Sequence, residues 1–168
     1  MSDAVPAASA ISIYRVTSAN TPFLTRHQVV QLDTTDWLVT LVNGALNGPP
    51  SLTSCILAPA SFRIFVVLLL TAPEVASYAS LYAAFSCPDE RLEAMLSCGS
   101  LNDASFQTLV QSARALLEPL REKELKRQLI PLRHALGRLN QTLAQKQFGW
   151  AAVSKYGAGY MLTRRTPS

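Results

Sequence analysis

Lys123, Arg127, His134, Arg138, Gln141 and Gln145 fall on one side of a helix drawn through residues 123–146. Cations spaced by helical turns, with amides and an imidazole between them, match phosphates along a strand, and Gln or His reaches sugars and bases. A plain solvated face has the same composition. Asp89, Glu90 and Glu93 crowd around Arg91. Such crowding raises one carboxyl pKa, which suits a pH-sensitive contact between subunits; a solvated turn with a local ion pair is the other reading. Cys55, Cys87 and Cys98 form no CxxC, and His27 and His134 stand far apart in sequence. No metal site, disulfide framework or cofactor is expected, and a reducing compartment is. "YGAGY" (156–160) is a turn between tyrosines and not a phosphate loop. With no nucleophile elbow or metal box, neither catalysis nor a small-molecule substrate is expected. Phe148, Trp150, Tyr156 and Tyr160 either anchor a neighbouring protomer or fold onto their own core.

The opposite side of the basic helix carries Leu125, Leu129, Leu132, Leu136, Leu139 and Leu143, at spacings of 4, 3, 4, 3 and 4. At about 100° per residue these form a stripe roughly 80° wide, the seam that packs a helical bundle. Pro131 and Gly137 lie inside that helix, and a kink is expected at Pro131.

Upstream, "MSDAVPAASA" has no basic region before an apolar run and is expected to be a flexible arm, not a secretory signal. "ISIYRV" (11–16) alternates as a short strand. "TTDWLVTLVNGALNGPP" opens on Thr34 or Thr35 as a cap and predicts a helix over 36–46. "FRIFVVLLLTAPEVASYASLYAAF" (62–85) is long enough for a membrane span. Arg63, Pro73-Glu74 and the β-branched run argue instead for a buried strand at 62–70, with a helix from Pro73 at its first position. A turn and short helix closed by Gly99 follow (86–100), then a helix capped by Asn102 or Asp103. Pro119 separates that helix from the basic one.

Charged residues are 15% of the 168, below the roughly 25% of ordinary domains, which favours surface covered by other chains. Residues 1–113 hold four basic and eight acidic side chains; residues 114–168 hold eleven and three. A basic block at one end suits an anionic partner, nucleic acid or a membrane surface.

In their order, these segments resemble the coat proteins of rod-shaped plant RNA viruses, of the tobacco mosaic virus type. "TTDWLVTLVNGALNG" is similar to the family's first helix near a Trp. "FRIFVVLLLTAPEVASYASLYAAFSCPDERLE" is similar to its strand-like segment, helix and RNA-contacting region. The basic helix and "FGWAAVSKYGAGYML" stand where the bore helix and aromatic closing segment would be. The family's Arg-Phe order is reversed here as Phe62-Arg63.

The resemblance implies an all-α, antiparallel four-helix bundle with a short strand-like segment near 62–70. Its domain plan is an arm at 1–10, one helical-bundle domain at 11–162 and a basic tail at 163–168. It implies self-assembly into a helical rod around single-stranded RNA, in a virion and the host cytoplasm. Arg91 would lie near the RNA contacts, with Arg114, Arg121, Lys123, Arg127, Arg133 and Arg138 as further RNA-binding candidates. The alternatives are a small dimeric accessory RNA-binding protein of the silencing-suppressor kind and a membrane-associated accessory protein using 62–85.

Overall fold

The computed structural model describes residues 12–45 and 47–165. The expected arm at 1–10 and the end of the expected tail at 166–168 lie outside them. Within the described residues the chain is not all-α and not a four-helix bundle. It opens with a four-stranded antiparallel meander: β1 (Ile13–Val16), β2 (Gln28–Asp33), β3 (Leu38–Asn43) and β4 (Ser51–Ile56), in that spatial order. The inward rows are apolar: Val30 and Leu32 lie beside Leu41 and Val39, and Val39 pairs with Cys55.

The helix expected over 36–46 is therefore strand β3. The polar run read as a helix cap makes the β2–β3 turn, where the Asp33 carboxylate accepts from the Thr35 amide at 2.9 Å. Asp and Thr side chains bond nearby amides equally well in turns and at caps, so the local chemistry does not separate the two.

The strand expected at 62–70 is helix α1 (Pro59–Thr71), with Pro59 in its first turn. Every residue from Ile64 to Leu69 is fully buried. A helix covered on all sides displays no amphipathic period, so its sequence cannot be told from that of a buried strand. Among the described residues, no helix is long and apolar enough to cross a membrane. Pro73 lies in the turn after α1 and starts no helix. A two-residue strand β5 (Ala76–Ser77) leads into α2 (Tyr78–Phe85), capped by Ser77, whose hydroxyl accepts from the Ser80 amide.

Next come α3 (Asp89–Cys98), closed by left-handed Gly99, and α4 (Ala104–Leu117), capped by Asp103. The Ser105 hydroxyl and then the Phe106 amide donate to the Asp103 carboxylate and hold its pKa below the usual carboxylate range. The basic segment is two helices, α5 (Glu122–Gln128) and α6 (Ile130–Gln145), broken at Leu129 and not kinked at Pro131. The break puts Pro131 in the first turn of α6, where its missing N–H costs nothing. The leucine stripe is core as expected: Leu129, Leu132, Leu136, Leu139 and Leu143 are buried, and Leu125 is half-buried.

The C-terminal segment is a hairpin, β6 (Trp150–Lys155) and β7 (Gly159–Arg164), to which β5 adds a third strand in the order β5-β7-β6. Helices α1, α2 and α6 pack together beside this sheet, and α1 reaches β7. Trp150 joins the layers, with its ring edge-on to Phe23 at 5.1 Å and stacked on Phe65 at 6.3 Å. Arg164, expected in a free basic tail, ends β7. Its guanidinium donates to the Phe23 carbonyl and to Gln28, and lies 4.6 Å from the Phe23 ring centre. One continuous hydrophobic core runs from the meander to this hairpin.

Candidate nucleic-acid interface

Because the leucines of α6 point inward, Arg133, His134, Gly137, Arg138, Gln141, Ala144 and Gln145 form its exposed face. That face is a ridge with a hollow on each side. On one side, a cleft of about 360 Å³ is lined by Glu122 and Lys126 of α5, Arg133, and Ser154, Tyr156 and Gly157 at the hairpin turn. Tyr78, Leu125 and Leu129 also line it. A neighbouring cleft of about 380 Å³ shares Tyr78, Leu125 and Gly157 and adds Arg114 of α4 and Glu118 at its end. On the other side, His134 and Arg138 overhang a hollow of about 250 Å³ next to the start of α1 and Phe85.

The last acidic residue of the chain is Glu124. Beyond it the sequence holds Lys126, Arg127, Arg133, Arg138, Lys146, Lys155, Arg164 and Arg165 and no carboxylate side chain, although Lys126 pairs back with Glu122 at 3.5 Å. Arg164 is engaged with the N-terminal segment, as described above. Arg133 and Arg138 donate no hydrogen bond to the described residues, so their guanidinium groups stay available to a ligand. Tyr156 is fully exposed at the hairpin tip, beside Lys155. Phe148 and Trp150 are instead buried, and Tyr160 packs edge-on against Tyr78 at 6.3 Å between ring centres.

The expected RNA-binding residues divide accordingly. Arg133 and Arg138 lie on the ridge, and Arg114 lines the second cleft, with its guanidinium 3.5 Å from Gln111 Oε1. Arg121, Lys123 and Arg127 are exposed on α5 or at its cap, on a different helix axis from the ridge. Arg91 does not join them. It is half-buried on α3 and donates to the Ser105 carbonyl at 3.2 Å, tying α3 to α4. The carboxylates Asp89 and Glu90 sit in the exposed first turn of α3, while Glu93 accepts from the Thr34 hydroxyl at 3.2 Å. Lys126 and Lys155 were not among the expected RNA-binding residues, and Tyr156 was expected as a protomer anchor or a core residue. The run of basic residues after Glu124 is the sequence signal that marks the two lysines.

Two of the three thiols are withdrawn from chemistry. Burial pushes the Cys55 thiol up to about 11 and raises that of Cys87, so both stay protonated at neutral pH.

The angle between ridge and hairpin is fixed by Asn140. Its side-chain amide donates to the Ala152 carbonyl at 2.9 Å and accepts from the Ala152 N–H at 2.7 Å. Ala152 is buried, so losing this partner strands two backbone groups at once. Asn140→Ala is expected to lower the urea midpoint by the equivalent of about 2 kcal/mol and to speed hydrogen exchange at the Ala152 amide. An unchanged exchange rate there would show that the pair does not hold the hairpin.

No family model, curated protein or solved structure matches the chain.

Proposed function

We propose that the chain is a non-enzymatic nucleic-acid-binding module that lays the exposed face of α6 in the major groove of a duplex. The β6–β7 turn then rests on the flanking backbone. The observation that carries this reading is the juxtaposition, on a three-helix body, of a helix ridge with no carboxylate of its own and a hairpin turn; they share one cleft, whose single carboxylate, Glu122, is paired with Lys126. A helix whose outer face is unpartnered fits the major groove in width, and a β-hairpin beside it gives the arrangement of a winged helix. Arg133, His134, Arg138 and Gln141 are side chains of the kind that bond phosphates and base edges. Lys126, which lines the same cleft as Arg133, adds a backbone contact.

The coat-protein reading, assembly into a rod around single-stranded RNA, draws on the same cations. What favours it is exposed aliphatic surface: Leu52 and Ile56 on the edge strand β4, Leu116 on α4 and Ile130 on α6. Unpaired strand edges with apolar side chains invite a second copy.

Fluorescence anisotropy with a mixed-sequence DNA duplex of about 30 base pairs and a single-stranded RNA of about the same length separates the two readings. Tighter binding to the duplex is expected, falling roughly 10²- to 10³-fold between about 50 and 200 mM salt for about five phosphate contacts. Tighter binding to the RNA, in particles that sediment as large assemblies, would replace the groove reading with the coat reading. Binding to neither would end both.

A further inference from the structure

Gly137 stands near the middle of the sixteen-residue helix α6, where glycine lowers helix stability relative to alanine. Nothing among the described residues requires it. It is not among the glycines with positive φ, it caps no helix end, and a Cβ built on it would meet no atom within 4 Å. It is exposed, and its neighbours on the ridge are Arg133 and His134 one turn before, Arg138 beside it and Gln141 one turn after. The centre of the basic ridge is thus a gap without a side chain, walled by groups that reach past it. A helix gains from such a gap when another surface must come close to its backbone.

Resting on the duplex reading above, we propose that Gly137 is the point of closest approach between α6 and the base-pair edges. It lets the ridge sink until Arg133, His134 and Gln141 reach bases on either side. The occupant is the floor of a major groove: the walls are cationic or hydrogen-bonding, as phosphates and base edges require, no carboxylate side chain lies on α6 or the hairpin, and the Glu122 carboxylate of α5 that lines the adjoining cleft is paired with Lys126. Gly137 would then set sequence selectivity, because only intimate seating brings side chains to base edges.

The test selects duplexes from a random-sequence DNA pool with the full chain and compares Gly137→Ala and Gly137→Leu with the parent protein. Both variants should unfold at higher urea, since alanine and leucine favour the helix. Gly137→Leu should bind the selected duplexes at least about tenfold more weakly, a loss on the scale of a disrupted base contact. Its binding to the unselected pool should stay within about twofold, because phosphate attraction does not need close seating. Undiminished affinity of Gly137→Leu for the selected duplexes would overturn the assignment while leaving the duplex reading intact. An equal loss on selected and unselected DNA would also overturn it, by showing general obstruction. A parent protein that enriches no duplex would overturn the assignment together with the reading it rests on.

Discussion

Gly159→Ala is expected to unfold the C-terminal sheet and lower the stability of the whole chain by roughly 2–4 kcal/mol, the sum of a strained backbone and an overpacked contact. Gly159 begins β7 at φ +150°, and a Cβ there would stand 1.9 Å from the Ala76 carbonyl oxygen and 2.9 Å from its carbon. Both obstacles are backbone, so no rotamer relieves them. The chain can respond only by parting β7 from β5, which pairs Ala76 with Tyr160 and Ser77 with Gly159. Ser77 also caps α2, and Tyr78 meets Tyr160, so the disturbance spreads from the sheet into a core helix. In a thermal melt this corresponds to a fall of roughly 5–15 °C. Gly157→Ala is the control. Gly157 also has a positive φ, +73°, but a Cβ there meets nothing within 4 Å. It should cost only the left-handed backbone term, about 1–2 kcal/mol. Equal losses for the two variants would mean that the close approach of β5 and β7 does not exist in solution.

What could be read from the amino acids follows which residues report on one environment. The leucines of α6 repeat because one side of the helix is buried and the other is wet, and that contrast is visible as a period. Gly99 and Asp103 mark helix ends because each does something only its side chain, or lack of one, permits. Residues 64–69 have no such contrast. Their surroundings are apolar on every side, and β-branched residues then favour the wrong answer. β6 hides for a related reason: Trp150, Ala151 and Ala152 are all buried and the next three residues all exposed, which breaks the alternation that marks a strand.

The site shows the same division. Arg133 and Arg138 could be found from helical spacing. Lys126 and Tyr156 share a cleft with Arg133 only because α5 turns away at Leu129 and the hairpin folds back. Arg91 shows the converse limit: a charge in a favourable sequence position is tied to a backbone carbonyl that lies fourteen residues away.

Reversing Arg133 and Arg138 together to glutamate should weaken binding to duplex DNA about 100-fold at physiological salt and lower the salt slope by about two. Both side chains are exposed and donate no hydrogen bond to the described residues, so the double variant should keep the parent's urea midpoint. Net charge alone also weakens binding to a polyanion, and the comparison must remove that contribution. Arg15 on β1 and Arg26 in the loop before β2 are exposed and lie on the N-terminal segment. Arg15→Glu with Arg26→Glu changes the net charge by the same amount but leaves the ridge untouched. If only overall charge attracted the nucleic acid, the two double variants would lose affinity together. If the ridge carries the contacts, the first loses most of its affinity and the second only a few-fold, because surface charges farther than about 10 Å from the phosphates are largely screened at 0.1 M salt. Should the ridge variant bind as the parent does, α6 is not the interface, and the cations of α5 become the next residues to reverse: Arg121, Lys123 and Arg127.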